Sequence, residues 1–205
     1  MEKDGHTYEL RVEPLIEQEH HTGDILWVID LTKHYEELNQ ARKESTHDSL
    51  TGLHNRKWFY ETVSADIDSH PGAFFILDLD HFKQVNDNFG HQVGDLILTL
   101  VAKSIREAVN AFPDATIYAG RLGGDEFLLY FSGETKKEVL SDFATIMTSS
   151  FAEVLKENDF ENLTSMSVGI SIVKEGEGYE ENYRKADHGL YKAKNAGRNT
   201  FVFEE

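Results

Sequence analysis

The chain has 205 residues and carries 20 Lys and Arg against 37 Asp and Glu, a formal net charge of −17. This acidity argues against a general nucleic-acid binder, because affinity for a phosphate backbone comes from clustered Lys and Arg. The sequence contains no cysteine, which excludes disulfide bonds and thiolate metal sites and fits a reducing compartment.

The first 30 residues have the pattern of a short hairpin. Residues 8–15 alternate polar and apolar side chains, and residues 25–30 form a second apolar run after a turn-like stretch that contains Gly23. Because two strands alone are only marginally stable in water, we expect this hairpin to pack on a partner.

A polar helix is predicted next, over residues 31–46. Its apolar residues Leu31, Tyr35 and Leu38 recur at coiled-coil-like spacing, while most other positions carry charged or amide side chains. This narrow apolar seam is typical of a connecting helix, and it fits either dimerisation or packing on a sensor core. We therefore predict a hairpin at 1–30, a linker helix at 31–46 and a main domain at 47–205.

The main domain mixes strands and helices. The predicted strands cover residues 73–79, 115–121, 127–131, 166–173 and 201–203. The predicted helices are one marked by Trp58, Phe59, Val63 and Ile67, a long one on Leu96 to Val109, and two more at 135–157 and 180–196. This order and a tight hairpin at Gly123-Gly124 predict an α+β fold, a mostly antiparallel central sheet flanked by helices. No apolar run approaches the roughly 20 residues of a membrane span, so we expect a soluble, cytoplasmic chain that makes no membrane contact.

Acidic side chains occur where two predicted strands end or turn. Asp78 lies near the end of the strand at 73–79, and Asp125 and Glu126 follow the Gly-Gly turn. If the two strands are neighbours, Asp78 and Asp125 converge on a shared ion, and oxygen ligands favour Mg²⁺ or Mn²⁺ over zinc. The alternative is that Asp78 and Asp80 terminate a strand and Asp125 belongs to a turn, and spacing alone favours this alternative.

Four sequence blocks in the main domain resemble one protein family. Residues 123–127 read GGDEF and resemble the signature of the GGDEF-domain diguanylate cyclases. Residues 48–56 (DSLTGLHNR), 78–95 (DLDHFKQVNDNFGHQVGD) and 190–199 (LYKAKNAGRN) are similar to the family's opening motif, its metal- and guanine-binding segment and its phosphate-binding helix. The resemblance covers about residues 46–205 and implies the palm-like fold of nucleotidyl cyclases.

The resemblance also implies a reaction and a metal site. Two GTP molecules, each held by one domain of a homodimer, would be joined into cyclic di-3′,5′-GMP with loss of two pyrophosphates. By match to the family, Asp78, Asp125 and the Leu79 carbonyl are ligands of Mg²⁺ or Mn²⁺, and Asp125 also accepts the proton of the attacking 3′-hydroxyl. Glu126 is required in the family, and how Asp125 and Glu126 divide the catalytic work stays open.

The guanine contacts follow from the same resemblance. Asn86 and Asp95 match the residues that hold the guanine edge, and His91 matches a substrate-contacting position. A carboxylate suits guanine because it accepts hydrogen bonds from N1–H and the 2-amino group, a donor pair that adenine lacks. Related enzymes that accept ATP have a different residue at the position of Asp95, so the aspartate here favours GTP. If the resemblance is set aside, the alternative is that Asp95 is a first-turn acid favoured by the helix dipole and that His91 is an ordinary loop residue.

The phosphate ligands are assigned to Lys194 and Arg198, with Lys83 as a third cation. Residues 182–200 contain five cations against one acid, Asp187, which reverses the charge balance of the chain. The alternative is that cations near a helix C-terminus only complement its dipole. The local reversal favours a phosphate site.

Two features depart from the family pattern. Many members carry an Arg-x-x-Asp product-inhibition site before the signature, but Asp114 and Ile117 stand at the corresponding positions here, so we expect that site to be absent. Residues 1–45 resemble the last strands and exit helix of a PAS sensor domain, which is longer in full, so we expect a truncated remnant without ligand sensing. Whether a longer protein carries membrane segments upstream stays open.

Three functions compete for this sequence. The unbroken signature favours an active diguanylate cyclase. A non-catalytic module that binds GTP or the dinucleotide is the second, although such members usually show a broken signature. A polymerase or adenylyl-cyclase-like enzyme on a related palm-like fold is the third, and the four blocks do not support it.

Overall fold

The computed structural model describes residues 2–3, 5–17 and 20–204. The chain divides into two compact units, Met1–Ser45 and Thr46–Glu205. Within the described residues, no helix is both long and apolar enough to cross a membrane.

The first unit is a small antiparallel sheet followed by a helix. Its elements are β1 (Glu2–Lys3), β2 (His6–Glu17), β3 (His20–Asp30) and α1 (Thr32–Thr46), with strand order β1-β2-β3. Asp30 ends β3 and starts α1, because its Oδ1 atom accepts hydrogen bonds from the Thr32 backbone N–H (2.9 Å) and hydroxyl (2.5 Å). The predicted hairpin strands lie inside β2 and β3, which are both longer than the sequence pattern indicates.

Apolar side chains on one face of this hairpin are exposed. Leu10 pairs with Val28 and Val12 pairs with Leu26 across the two strands. All four are large and exposed, up to 64% for Val12. In the predicted helical seam, Tyr35 is exposed and the side chain of Leu38 lies outside the described residues, so the seam stays a prediction.

The second unit contains one six-stranded sheet and five helices among its described residues. In chain order these are β4 (His54–Asn55), α2 (Arg56–Asp66), β5 (Ala73–Asp80), α3 (Phe82–Phe89), α4 (His91–Asn110), β6 (Thr116–Gly123), β7 (Glu126–Ser132), α5 (Lys137–Glu157), β8 (Ser165–Ile172), α6 (Tyr179–Asn195) and β9 (Phe201–Glu204).

The strand order of this sheet is β4-β6-β7-β5-β8-β9. The three inner pairings are antiparallel, and the outer pairings of β4 with β6 and of β8 with β9 are parallel. The predicted α+β fold with a mostly antiparallel sheet is therefore confirmed. The sequence pattern missed β4 and α3, because elements of two and eight residues contain too few repeats to show a period.

Helices cover both faces of the sheet and bury two apolar clusters. Helices α4 and α5 pack over Phe75, Leu77 and Phe127 on one face, and α2 and α6 pack over Phe74 and Ile76 on the other. Strand β5 is buried on both faces, which explains its continuous apolar run. At its C-terminal end the apolar run is followed by Asp78 and Asp80, and this end lies beside the turn at Gly123-Gly124.

Helix α6 lies unusually close to strand β8. A Cβ atom at Gly169 would overlap the Ala186 carbonyl oxygen and the Leu190 backbone nitrogen, so only glycine fits this position in β8. The close approach sets the distance of α6 from the sheet, and with it the position of the cations near the end of α6.

Candidate active site

Three carboxylates come together at one end of strands β5 and β7. Asp78 on β5 is directly opposite Glu126 on β7, and Asp125 occupies the turn that joins β6 to β7. The turn is possible because Gly123 and Gly124 adopt φ angles of 145° and 55°, which side chains with a Cβ atom rarely adopt. The sequence therefore places three negative charges at neighbouring positions.

Lys194 reaches this acidic group from α6. Its Nζ atom lies 2.6 Å from Asp78 Oδ1. Burial raises the pKa of the Asp78 carboxyl above its usual value, the Asp125 and Glu126 charges add to that increase, and Lys194 opposes it. Asp78 is thus a carboxylate whose negative charge is only partly compensated, as in a site that receives a cation.

The donor chemistry of this group fits a hard divalent cation. Carboxylate oxygens are the ligands that Mg²⁺ and Mn²⁺ prefer, and the lysine ammonium beside Asp78 marks where positive charge is favoured. Among the described residues, no cluster of three or more His, Cys, Asp or Glu side chains is arranged to hold a metal by itself. An ion here therefore needs further oxygens, such as the Leu79 carbonyl and a nucleotide phosphate.

The two predicted phosphate ligands both face carboxylates of β5. Lys194 contacts Asp78, and the Arg198 Nε atom lies 3.9 Å from Asp80 Oδ1. The side chains of Lys194 and Arg198 are 33% and 43% exposed, so both are accessible to a ligand. Lys83 is exposed in the first turn of α3, directly after the end of β5.

The predicted guanine-binding residues lie on α3 and α4. A Cβ atom at Gly94 would overlap the Asn86 Oδ1 atom, so the Asn86 side chain lies directly against the residue before Asp95. Asp95 is exposed on α4, and His91 is exposed at the first residue of that helix. The structure thus brings Asn86 close to the turn of α4 that carries Asp95.

A partly buried ion pair supports the turn at Gly123-Gly124. Arg121 donates to the Gly124 carbonyl oxygen through Nε (3.1 Å) and Nη2 (2.7 Å), and its Nη1 atom contacts Asp48 Oδ1 at 3.1 Å. Asp48 also accepts hydrogen bonds from the Thr51 backbone N–H and hydroxyl. Burial by itself would raise the pKa of Asp48, but the hydrogen bonds from Thr51 and Arg121 outweigh it and hold the pKa below its usual value.

Sequence reasoning assigned no role to Arg121 or Asp80. Arg121 stands two positions before the signature, and the alternative interpretation of the sequence treats Asp80, like Asp78, as a strand-ending acid. The structure instead includes Asp80 in β5 and buries it, with only 1% of the residue exposed. The available signal was that Asp80 lies inside the block at 78–95 and Arg121 lies just before the block at 123–127, because their partners are more than 70 positions away in the chain.

Comparisons with known proteins bear on this arrangement. A sequence model of the family described as "Diguanylate cyclase, GGDEF domain" matches residues 45–200. The diguanylate cyclase VdcA of Vibrio cholerae is 32% identical over 182 residues, an alignment that covers 83% of this chain and 50% of that protein. The probable diguanylate cyclase DgcT of Escherichia coli is 31% identical over 194 residues, which covers 87% of this chain and 40% of DgcT. The chain thus spans half or less of the length of these curated relatives.

Solved structures are similar over the same part of the chain. The coiled coil and GGDEF domain of DgcB from Caulobacter crescentus, in complex with c-di-GMP, matches with a TM-score of 0.72 and 31% identity, covering 84% of this chain and 93% of that one. The diguanylate cyclase SiaD from Pseudomonas aeruginosa, in complex with its activator SiaC, matches with a TM-score of 0.70 and 30% identity, covering 83% of this chain and 66% of SiaD.

Proposed function

Because the chain belongs to the GGDEF family of diguanylate cyclases, we propose that it joins two GTP molecules into cyclic di-3′,5′-GMP and releases two pyrophosphates. The observation that carries this proposal is the group of Asp78, Asp125 and Glu126 at one end of the sheet, with Lys194 on Asp78. Such a group suits a reaction in which a triphosphate must be neutralised and a hydroxyl must lose its proton.

Asp78, Asp125 and the Leu79 carbonyl would hold Mg²⁺ or Mn²⁺ in this proposal. The bound ion would supply positive charge to the triphosphate and so favour attack at the α-phosphate. Asp125 lies half-buried at the turn, where it accepts the proton of the 3′-hydroxyl that attacks. Glu126, which pairs with Asp78 on the adjacent strand, adds a second carboxylate to the site. The proposal does not divide the proton transfer between Asp125 and Glu126.

The substrate is oriented at both of its ends. Lys194 and Arg198 bind the phosphates, with Lys83 as a third cation, because ammonium and guanidinium groups donate charge-assisted hydrogen bonds to phosphate oxygens. Asn86 and Asp95 bind the guanine edge, and His91 contacts the substrate from the start of α4. Adenine lacks the N1–H and 2-amino donor pair, so Asp95 favours GTP over ATP.

A homodimer is part of the proposal. One site binds one GTP, and the 3′-hydroxyl that attacks its α-phosphate belongs to the GTP of a second site. Two copies of the domain must therefore face each other during turnover. The reaction takes place in the cytoplasm, where GTP is made available, and it needs no nucleic-acid partner.

The test is a product assay with purified protein, GTP and Mg²⁺, read by chromatography and mass spectrometry. We expect cyclic di-GMP and pyrophosphate, no product in the presence of a chelator, and a specific rate that falls when dilution separates the dimer. GTP binding without any cyclic dinucleotide at micromolar protein would contradict the cyclase and favour a binding module. A constant specific rate down to a demonstrated monomer would contradict the dimer.

A further inference from the structure

Asp80 is a buried carboxylate to which the proposed chemistry gives no task. Its side chain has no exposed surface, although it lies on β5 only two residues after Asp78. A charged group removed from water is costly unless hydrogen bonds or an opposite charge compensate it. The partners of Asp80 therefore indicate what its burial achieves.

Hydrogen bonds to Asp80 come from two separate parts of the chain. From β8, the Ser167 hydroxyl donates to Oδ1 (2.7 Å) and the Ser165 hydroxyl donates to Oδ2 (2.6 Å). From the segment between α6 and β9, the Asn199 backbone N–H donates to Oδ2 at 3.1 Å. The Arg198 Nε atom is 3.9 Å from Oδ1, close enough for charge attraction but too far for a hydrogen bond. Asp80 thus joins β5, β8 and the α6–β9 segment.

The α6–β9 segment has a backbone that needs support. Gly197, Arg198 and Asn199 have φ angles of 112°, 67° and 46°, three consecutive residues in the left-handed region. For residues with a Cβ atom, this region is unfavourable by about 1 kcal/mol or more, and it persists only where neighbouring contacts impose it. The Arg198 N–H is bonded to the Ala193 carbonyl and the Thr200 carbonyl to the Val168 N–H, so both ends of the segment are tied. Asp80 holds the middle of the segment through its hydrogen bond with the Asn199 N–H.

We propose that Asp80 is a positioning residue that fixes the Arg198–Asn199 backbone against β5, so that the Arg198 guanidinium is held ready for the phosphates of GTP. What Arg198 binds rests on the proposed function, whereas the anchoring of the segment by Asp80 does not. The role is positioning because the Asp80 side chain is fully buried, with no surface open to a ligand, and lies against Arg198 and Asn199.

The hydrogen-bond pattern predicts how two substitutions differ. In Asp80→Asn, the amide oxygen can still accept from Ser165 and Asn199, and the new NH₂ group can donate to Ser167, whose hydroxyl can rotate to accept. This variant keeps the anchor. In Asp80→Ala the anchor is lost, the Asn199 N–H has no acceptor from β5, and the segment is free to leave its strained conformation.

Helix α6, which precedes Arg198, offers a matched control. Asn182 is buried near the start of α6, accepts a hydrogen bond from the Ser171 hydroxyl of β8 (2.8 Å) and donates to the Gly178 carbonyl (3.0 Å). Asn182→Ala therefore removes a buried polar anchor between β8 and α6, at the end of the helix away from Arg198. We expect both alanine variants to lower the melting temperature.

The experiment compares the two alanine variants and Asp80→Asn by GTP kinetics and by amide hydrogen exchange. For Asp80→Ala we expect the KM for GTP to rise about tenfold, as for one weakened charge-assisted hydrogen bond, with kcat much less affected. Asp80→Asn is expected to restore most of the KM, and Asn182→Ala to leave it unchanged. Exchange at the Asn199 amide is expected to accelerate in Asp80→Ala alone.

A double-mutant cycle tests whether the effect passes through Arg198. If it does, Asp80→Ala adds little to the KM of Arg198→Ala, whereas independent effects would multiply. An unchanged KM in Asp80→Ala, an equal rise in Asn182→Ala, or multiplied effects in the cycle would each overturn the proposal. If Asp80→Ala does not fold, Asp80→Ser replaces it, because serine keeps a polar atom for the buried hydroxyls but is too short to reach the Asn199 amide.

Failure of the proposed function would give a different result. A wild-type chain that makes no cyclic dinucleotide would refute the cyclase assignment, while hydrogen exchange at Asn199 would still report whether Asp80 anchors the segment. Unchanged exchange at Asn199 in Asp80→Ala would refute the anchor even in an active enzyme.

Discussion

The acids at the polar end of the sheet fall into two groups with opposite surroundings. The anchored acids, Asp48 and Asp80, each accept hydrogen bonds from hydroxyl and backbone donors and lie beside an arginine. The clustered acids, Asp78, Asp125 and Glu126, repel one another, and Lys194 compensates only part of their charge. Although Asp78 and Asp80 are two residues apart on one strand, they belong to different groups.

This contrast separates architecture from chemistry. A carboxylate with a complete set of donors stabilises the fold and has no reason to bind an ion. A carboxylate crowded by other acids stores unfavourable charge that a ligand can relieve, so it marks a functional site and lowers stability. The two groups should therefore respond to substitution in opposite ways.

The largest expected effect is on turnover when a clustered acid is removed. Asp125→Ala should lower cyclic di-GMP formation by at least about a thousandfold, since the proposed oxygen ligand and proton acceptor are the same side chain. The melting temperature should stay close to that of the wild type. Asp187→Ala, which removes an exposed acid of α6, serves as the control. An Asp125→Ala variant with full turnover would remove the distinction between the groups.

Removing an anchored acid should instead weaken the fold. Asp48→Asn should lower the free energy of unfolding by about 2 kcal/mol, because Arg121 loses its charged partner in a partly buried site. Denaturant titration measures this change, with Asp142→Asn on the exposed face of α5 as the control. Equal stabilities for the two variants would show that the Asp48 contacts do not stabilise the unit.

Acidification should erase the effect of the Asp48 substitution. The folded-state pKa of Asp48 lies below its usual 3.8, so its stabilising contribution is complete above that value and is lost as pH falls through the folded-state pKa. The difference in unfolding free energy between wild type and Asp48→Asn should be constant between pH 6 and 8 and shrink below about pH 4. A difference that grows on acidification would contradict the assigned ion pair.

The smallest expected effect has the opposite sign. The pKa of Asp78 is raised, which means that the fold disfavours its charge. Asp78→Asn should therefore raise the unfolding free energy slightly, by less than about 1 kcal/mol, when measured by denaturant titration with a chelator present. The same variant should lose cyclase activity. A clear loss of stability would place Asp78 with the anchored acids.

Sequence patterns predicted most helices and strands of the fold, but not the side-chain contacts that hold the candidate site in place. The apolar run of β5, the hairpin at Gly123-Gly124 and helix α6 were all recognisable, because burial on one or two faces imposes a period on the chain. The short elements β4 and α3 carry too few residues for such a period.

Asp78, Asp125 and Glu126 were recognisable as acids at strand ends, but spacing alone did not favour a metal site there. The resemblance supplied that assignment and the other site residues, and all of these roles remain proposals. The contacts of Arg121 with Asp48 and of Asp80 with Asn199 join segments 73 and 119 positions apart, which no local pattern encodes. The division of the chain at 1–30, 31–46 and 47–205, and the likeness of residues 1–45 to a PAS remnant, stay predictions as well.

The contact of Gly169 with the backbone of α6 has a consequence for how this domain tolerates sequence drift. Gly189 of α6 also faces this strand, and a Cβ atom placed there would come within 3.2 Å of the Gly169 Cα atom. The helix that carries Lys194 thus packs on main-chain atoms of β8 as well as through the buried side chains of Ala186 and Leu190. Exchanges of similar volume among the core side chains should therefore move Lys194 little, whereas Gly169→Ala should displace α6 from the sheet, because the added methyl group would overlap the Ala186 carbonyl oxygen.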